Sequence, residues 1–222
     1  MLYGFINRDY QTVSDLHFEV GYVPANQDRV LFALACRSIG EPIIGQPTNK
    51  VSIGKLLKQL FDIASLFDVI TDLRVVTETF QKFAAVELQY RNLDPENITQ
   101  VLDDIFQTSL CICLRGQVEP ATFKLLQTGT KRIQSFIHSE KYNIDSAITN
   151  ASKAAYLSVL IANKATTAVH FDPQNIEPLR NAVINEPLNT KLNKLKKSNI
   201  EAFFYWNEIG KICNAHISEN LD

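Results

Sequence analysis

The first fifty residues carry hydrophobic patterns that are typical of strands. From residue 16 to residue 22 every second position is apolar, which is the period of a strand with one buried face. Residues 30–36 are apolar throughout, and this predicts a strand that is buried on both faces. Ile43-Ile44 follows between prolines and glycines, so it predicts a short edge strand.

The pattern changes to that of helices near residue 50. Apolar residues recur at helical spacing from residue 53 to residue 67, with lysines and an aspartate on the other side. Further helices are predicted at about 74–90, from 94, from 119, at about 145–164, from 172 and at about 189–218. Three of these starts carry an acidic residue followed by proline, Asp94-Pro95, Glu119-Pro120 and Asp172-Pro173, and proline is favoured in the first helical turn.

These patterns together predict an α+β fold. We expect a small N-terminal antiparallel sheet packed on a larger helical body. In this interpretation residues 1–50 form the β region and residues 51–222 form the helical region, joined as one compact unit. The stretch between them contains no flexible Gly/Ser linker.

Composition places the chain among ordinary folded proteins. It has 222 residues, 45% of them hydrophobic, and a formal charge of −2. No apolar run approaches the roughly 20 residues that span a membrane, and no basic stretch followed by an apolar one suggests a secretion signal. Four cysteines are too few for a disulfide scaffold. We therefore expect a cytoplasmic protein with reduced thiols.

Catalytic chemistry has little support in the sequence. The segment from Gly40 to Gly45 lacks the Lys and Ser/Thr that would follow in a phosphate-binding loop. Cys111 and Cys113 lack a second ligand pair for zinc, so they are interpreted as small apolar side chains. We expect no enzyme, no metal and no cofactor.

An alternative is an RNA-binding protein or a ribonuclease. Arg132 and His138 are spaced as in the Arg-x(4–6)-His motif of HEPN ribonucleases, which they resemble. A basic cluster before an aromatic run could also contact single-stranded RNA. The net charge argues against general nucleic-acid affinity. The lysines of that cluster are Lys191, Lys194, Lys196 and Lys197.

An acidic strip is the preferred partner-binding site. Residues 60–105 hold nine acidic residues against three basic ones. Glu96 and Asp103 are seven positions apart, which places them on one side of a continuous helix. We predict that this strip docks a basic protein surface. Its four residues are Asp94, Glu96, Asp103 and Asp104.

The N-terminal region also resembles a known protein family. The order of two strands, the turn at residues 37–42, the short Ile43-Ile44-Gly45 segment and a Leu-rich helix at 56–60 resembles the start of immunity proteins of bacterial polymorphic toxins, including those of contact-dependent growth inhibition. The resemblance implies a protein that binds and neutralises a cognate toxin, with a basic nuclease suspected. A third hypothesis is a structural subunit that packs Ala151, Ala155 and Ser158 against a partner.

Overall fold

Helices make up the regular structure of the described residues. A computed structural model describes residues 50–70, 72–90, 92–134, 137 and 141–219. The longer helices are α1 (Lys50–Phe67), α2 (Leu73–Tyr90), α3 (Ile98–Cys113), α4 (Pro120–Ile133), α5 (Ile144–Ala162) and α8 (Ile200–Glu219). Shorter ones lie between the last two: α6 (Glu177–Asn181), the 3-10 helix η1 (Thr190–Lys194) and α7 (Leu195–Ser198).

The α+β prediction is wrong. The described residues contain helices and no strand, so the part of the chain that the structure describes is all-helical. The predicted strands at 16–22 and 30–36 and the Ile43-Ile44 segment lie outside the described residues. Alternation over seven residues, or an apolar run of similar length, is a weak signal because short apolar segments fit strands and helices equally well.

The predicted helical faces agree with the structure where both are defined. On α1, the side chains of Leu57, Leu60, Ile63 and Phe67 are each at most 1% exposed. Their spacing of three and four residues puts them on one side of the helix, which packs on α4 and α5. Helical periodicity is a local signal, so the buried face of a helix can be predicted without knowledge of the tertiary fold.

Helix α5 is the centre of the body and contacts α1, α3 and α8. Asn143 caps its start by accepting hydrogen bonds from the backbone N–H groups of Asp145 and Ser146. Ala151 and Ala155 are fully buried and Ser158 is nearly so. This stripe of small residues lets neighbouring helices of the same chain approach closely, so it is an internal packing surface and does not face a partner.

The last predicted helix is divided in two places. Asn199 has an extended backbone conformation that separates α7 from α8. Its side chain accepts from the Ala202 N–H at 3.1 Å and donates to the Thr149 hydroxyl at 2.9 Å. Asn189 caps η1 by accepting from the Lys191 N–H. Helices α4 and α8 run without interruption through Gly129 and Gly210.

Candidate functional site

An ion cluster around the buried side chain of Lys153 joins three helices of the body. The ammonium of Lys153, on α5, lies 2.9 Å from the carboxylate of Asp68, just beyond α1, and 2.9 Å from that of Glu201, at the start of α8. The Lys153 side chain is 9% exposed. Burial alone would lower the pKa of Lys153, but its hydrogen bonds to Asp68 and Glu201 and their charges outweigh that effect and raise it.

Aromatic rings surround this cluster. The Lys153 ammonium lies 6.0 Å from the ring centre of Tyr205, at the limit of a cation–π contact. Tyr205 and Tyr156 have ring centres 5.6 Å apart, and both pack on Phe67 at the end of α1. The ring centre of His170 lies 4.9 Å from that of Phe67. The end of α1 is therefore held by ionic and aromatic contacts from α5 and α8.

The loop that follows α5 crosses the same tyrosines. The Val169 N–H donates to the Tyr156 hydroxyl and the Phe171 N–H donates to the Tyr205 hydroxyl, each at 3.3 Å. Burial raises the pKa of both phenols, more strongly for Tyr205. The hydroxyls therefore stay protonated and accept backbone hydrogen bonds, which suits a role in positioning this loop.

The predicted acidic strip does not form one helical face. Asp94 and Glu96 lie in the loop before α3, where the Asp94 carboxylate accepts from the Glu96 N–H at 3.0 Å. Asp103 and Asp104 lie on α3 itself; Asp103 is exposed and accepts from the Gln107 amide at 3.3 Å. The helix begins four residues later than predicted because the turn formed by Asp94 precedes it. Partner binding by these residues stays a prediction.

The remaining candidates from the sequence are the Arg132/His138 pair and the cysteines. His138 and the side chain of Arg132 lie outside the described residues. Burial raises the pKa of the Cys111 thiol to about 11 and that of Cys113 to about 12, so both stay protonated at neutral pH. In the described ranges, no three His, Cys, Asp or Glu residues come together as a metal site. Cys36 is also outside those ranges.

The four-lysine cluster separates into two kinds of side chain. Lys196 folds back, donates to the carbonyl oxygens of Arg180 and Ala182, and lies 5.1 Å from the ring centre of Phe203. The other three, Lys191, Lys194 and Lys197, are exposed. Sequence reasoning could not make this distinction because all four lysines occur within seven residues.

Comparison with known proteins points to a different family from the one expected. A family model described as the UbiB helical domain matches residues 36–77. This stretch includes α1 and the start of α2. The segment resembles a UbiB helical domain. The match also covers Ile43-Ile44, which was predicted as an edge strand.

Individual relatives agree with this match. The chain is 40% identical over 68 residues to a probable protein kinase UbiB of Pseudomonas putida, covering 31% of this chain and 13% of the relative. The UbiB protein of Haemophilus ducreyi is 40% identical over 66 residues, with coverage of 30% and 12%. That of Shewanella loihica is 36% identical over 73 residues, with coverage of 33% and 13%. No solved structure matches the chain.

These similarities overturn the immunity-protein hypothesis. The relatives are named as probable protein kinases, and nothing in them supports toxin neutralisation, a cognate toxin or a nuclease partner. The earlier resemblance depended on the order of predicted strands, which lie outside the described residues. The alternative of an RNA-binding protein or ribonuclease is not supported either. The expected cytoplasmic location stays a prediction.

The Lys153 cluster was missed from the sequence. Its partners Asp68 and Glu201 are 85 and 48 positions away, so no local pattern connects them. One signal was available: Lys153 sits between Ala151 and Ala155 in a helix whose other nearby residues are small or apolar. A single lysine in such a stretch is buried only when it is paired.

No helix in the described part of the chain combines the length and apolar character needed to cross a membrane.

Proposed function

We propose that this chain is a helical, non-catalytic unit that works with UbiB-type, kinase-like proteins. The observation that carries the proposal is the 40% identity over 68 residues to the Pseudomonas putida relative, together with the family match at residues 36–77. The chain spans only about an eighth of the length of these relatives. A shared segment of this size supports a common interaction more readily than a common complete activity.

The shared segment is part of the folded core of this chain. Leu60 and Ile63 of α1 are buried, and Phe67 at its end packs on Tyr156 and Tyr205. The next residue, Asp68, forms a salt bridge with Lys153. The described part of the UbiB-like segment is therefore packed against the remaining helices, which favours a role in presenting a defined surface.

Two exposed valines mark the surface that the segment presents. Val69, between α1 and α2, is 54% exposed, and Val75, in the first turn of α2, is 41% exposed. Both fall inside the family match. Exposed apolar residues next to a rigid helix end are suited to a protein contact. We propose that Val69 and Val75 contact the UbiB-type partner.

The non-catalytic part of the proposal is supported by the state of the reactive side chains. The thiols of Cys111 and Cys113 and the phenols of Tyr156 and Tyr205 have raised pKa values. Lys153 is charged and engaged by two carboxylates. These groups are in unreactive forms at neutral pH. Phosphoryl transfer is then the task of the UbiB-type partner.

The test combines binding with activity. Immobilised chain is presented with full-length UbiB protein of Pseudomonas putida and affinity is measured by interferometry, with ATP turnover measured on each protein alone. We expect binding by the wild type and at least ten-fold weaker binding by V69D/V75D. The matched control V118D, at an equally exposed valine outside the segment, should bind as the wild type does. Absence of binding, or ATP turnover by the chain alone at the rate of the relative, would refute the proposal.

A further inference from the structure

Three lysines form an exposed ridge along η1 and α7. Lys191 and Lys194 are three residues apart in the 3-10 helix η1, so their side chains are eclipsed and about 6 Å apart along the axis. Lys197 is three residues further, in α7. All three are exposed, and no carboxylate of the described residues forms a salt bridge with them. We call these three residues the lysine ridge.

The other two faces of this short helical unit are engaged within the protein. Leu192 and Leu195 are 0% and 4% exposed and pack in the core. The side chain of Asn193 donates to the Ile184 carbonyl at 2.7 Å and accepts from the Ile184 N–H at 2.8 Å. Lys196 also bonds backbone carbonyls of the preceding segment. These contacts fix η1 and α7 with the lysine ridge as their solvent-facing side.

An exposed valine belongs to the same unit. Val183 is 57% exposed, whereas the next residue, Ile184, is 1% exposed. It stands between Ala182, whose carbonyl accepts from Lys196, and Ile184, whose backbone is bonded by Asn193. The outer surface here therefore combines separate ammonium groups with an exposed aliphatic side chain.

Positive charge is concentrated at this end of the chain. The stretch from α6 to α7, residues 177–198, holds five basic residues against two acidic ones, a local charge of +3. The whole chain has a formal charge of −2, so the remainder carries −5. Such an asymmetric charge distribution orients a protein toward a negative surface.

We propose that the lysine ridge docks on an anionic lipid bilayer and that Val183 enters the headgroup region. The argument is charge complementarity combined with an adjacent apolar side chain, which are the two features of interfacial binding. Lysine carries a point charge on a flexible stem and needs no fixed partner geometry, which suits mobile headgroups. The inference is independent of the proposed function, because these residues lie outside the UbiB-like segment.

Two other anionic partners fit this surface less well. Protein interfaces are enriched in arginine and aromatic residues and depleted in lysine, whereas the ridge consists of lysines alone. Single-stranded RNA needs aromatic rings on which its bases stack. The nearby rings of Phe203 and Trp206 are 0% exposed, so they offer no stacking surface.

Vesicle binding tests the proposal with the full chain. Sucrose-loaded vesicles of phosphatidylcholine with 30 mol% phosphatidylserine are mixed with the protein at 50 mM sodium chloride, and the bound fraction is measured after sedimentation. We expect at least ten-fold tighter binding than to vesicles of phosphatidylcholine alone. Because salt screens exposed charges over about 10 Å or less above 0.1 M, binding to the anionic vesicles should weaken at least ten-fold at 500 mM.

Neutralisation of two lysines identifies the surface. K191Q/K194Q should weaken binding to the anionic vesicles about 25-fold, which is about five-fold for each lysine. K124Q/K131Q removes the same charge from two exposed lysines of α4 and should bind within about two-fold of the wild type. Thermal unfolding checks that both variants fold.

The contribution of Val183 has its own matched pair. V183S should weaken binding to the anionic vesicles about three-fold, because an aliphatic contact with the bilayer is lost. V118S changes a valine that is equally exposed, at 57%, and should bind as the wild type does. Equal affinities of these two variants would overturn the entry of Val183 into the headgroup region.

Other results would overturn the docking itself. Equal binding to the two kinds of vesicle, or equal weakening by the two double variants, would remove the lysine ridge as the contact. Competition by soluble glycerophosphoserine at 1 mM would assign the ridge to a free anion. Binding of polyglutamate or of labelled single-stranded RNA, without binding to anionic vesicles, would assign it to an acidic protein or to RNA.

Discussion

The ammonium of Lys153 lies 2.9 Å from the carboxylate of Asp68 and thereby joins residues 85 positions apart in the chain. The contact connects the end of α1, within the UbiB-like segment, to the central helix of the body. Glu201 accepts from the same ammonium at the start of α8. Three long helices therefore meet at one cation whose charge is balanced on two sides.

Removal of this cation should destabilise the protein. We expect Lys153→Ala to lower the free energy of unfolding by about 2–3 kcal/mol, because two carboxylates lose their counter-charge and a buried aliphatic chain is lost. Lys153→Met should cost only about 1 kcal/mol, since it keeps the packing and both carboxylates can still contact water. Urea unfolding followed by circular dichroism measures both. Lys124→Ala, at an exposed lysine, should change stability by less than about 0.5 kcal/mol; an equal effect at both lysines would contradict a special role for Lys153.

The two tyrosine hydroxyls should control the loop after α5 separately. Tyr205→Phe removes the acceptor of the Phe171 N–H. A hydrogen bond contributes about 1 kcal/mol, which corresponds to about five-fold faster amide exchange. Hydrogen exchange measured by NMR should therefore accelerate at Phe171 and stay unchanged at Val169. Tyr156→Phe should give the reverse pattern, and equal acceleration at both amides in either variant would show that the loop opens as a unit.

The structure also shows which parts of the fold a sequence can predict. The inward face of α1 was predicted correctly because Leu60, Ile63 and Phe67 follow a period that depends only on local helix geometry. The division between α7 and α8 was missed because Asn199 breaks the helix through bonds to α5, fifty residues away. A contact between side chains that are distant in sequence produces no periodic pattern, so the sequence does not reveal it.

The position of the acidic residues was predicted incorrectly for a related reason. Seven-residue apolar patterns at the N-terminus fit more than one kind of element, and the immunity-protein resemblance depended on interpreting them as strands. The acidic strip was drawn on a helix assumed to begin at Asp94, whereas α3 begins at Ile98. The sequence shows that these residues are acidic. Whether they share one helical face depends on where the turn before α3 ends, which the sequence alone did not reveal.

The turn after α3 should not tolerate a side chain at Gly116. Its φ of +73° is in the left-handed region, and an added Cβ would lie 2.4 Å from the Cβ of Phe123. We expect Gly116→Ala to cost about 2–3 kcal/mol, from backbone strain and a clash that backbone movement must relieve. Gly210→Ala is the matched control: its Cβ would meet Leu188 at an ordinary 3.5 Å, and it should stabilise α8 by up to about 1 kcal/mol. Thermal unfolding of the two variants should shift in opposite directions.

Asp62 should give the protein a distinct dependence of stability on pH. Burial raises the pKa of Asp62 from 3.8 to about 6, against the opposing charge of Lys58. Between these values the folded protein keeps a proton that the unfolded chain releases, so Asp62 makes stability fall as pH rises from about 4 to 6. The full shift corresponds to about 3 kcal/mol, and because Asp62 is partly exposed we expect about 1–2 kcal/mol.

Asp62→Asn should therefore stabilise the protein by that amount above pH 7 and give no stabilisation below pH 4, as urea unfolding across pH will measure. Glu96→Gln, which removes an exposed carboxylate, should change stability by less than about 0.5 kcal/mol at either pH; an Asp62→Asn gain that persists at pH 4 would show that shape, and not ionisation, produces the effect.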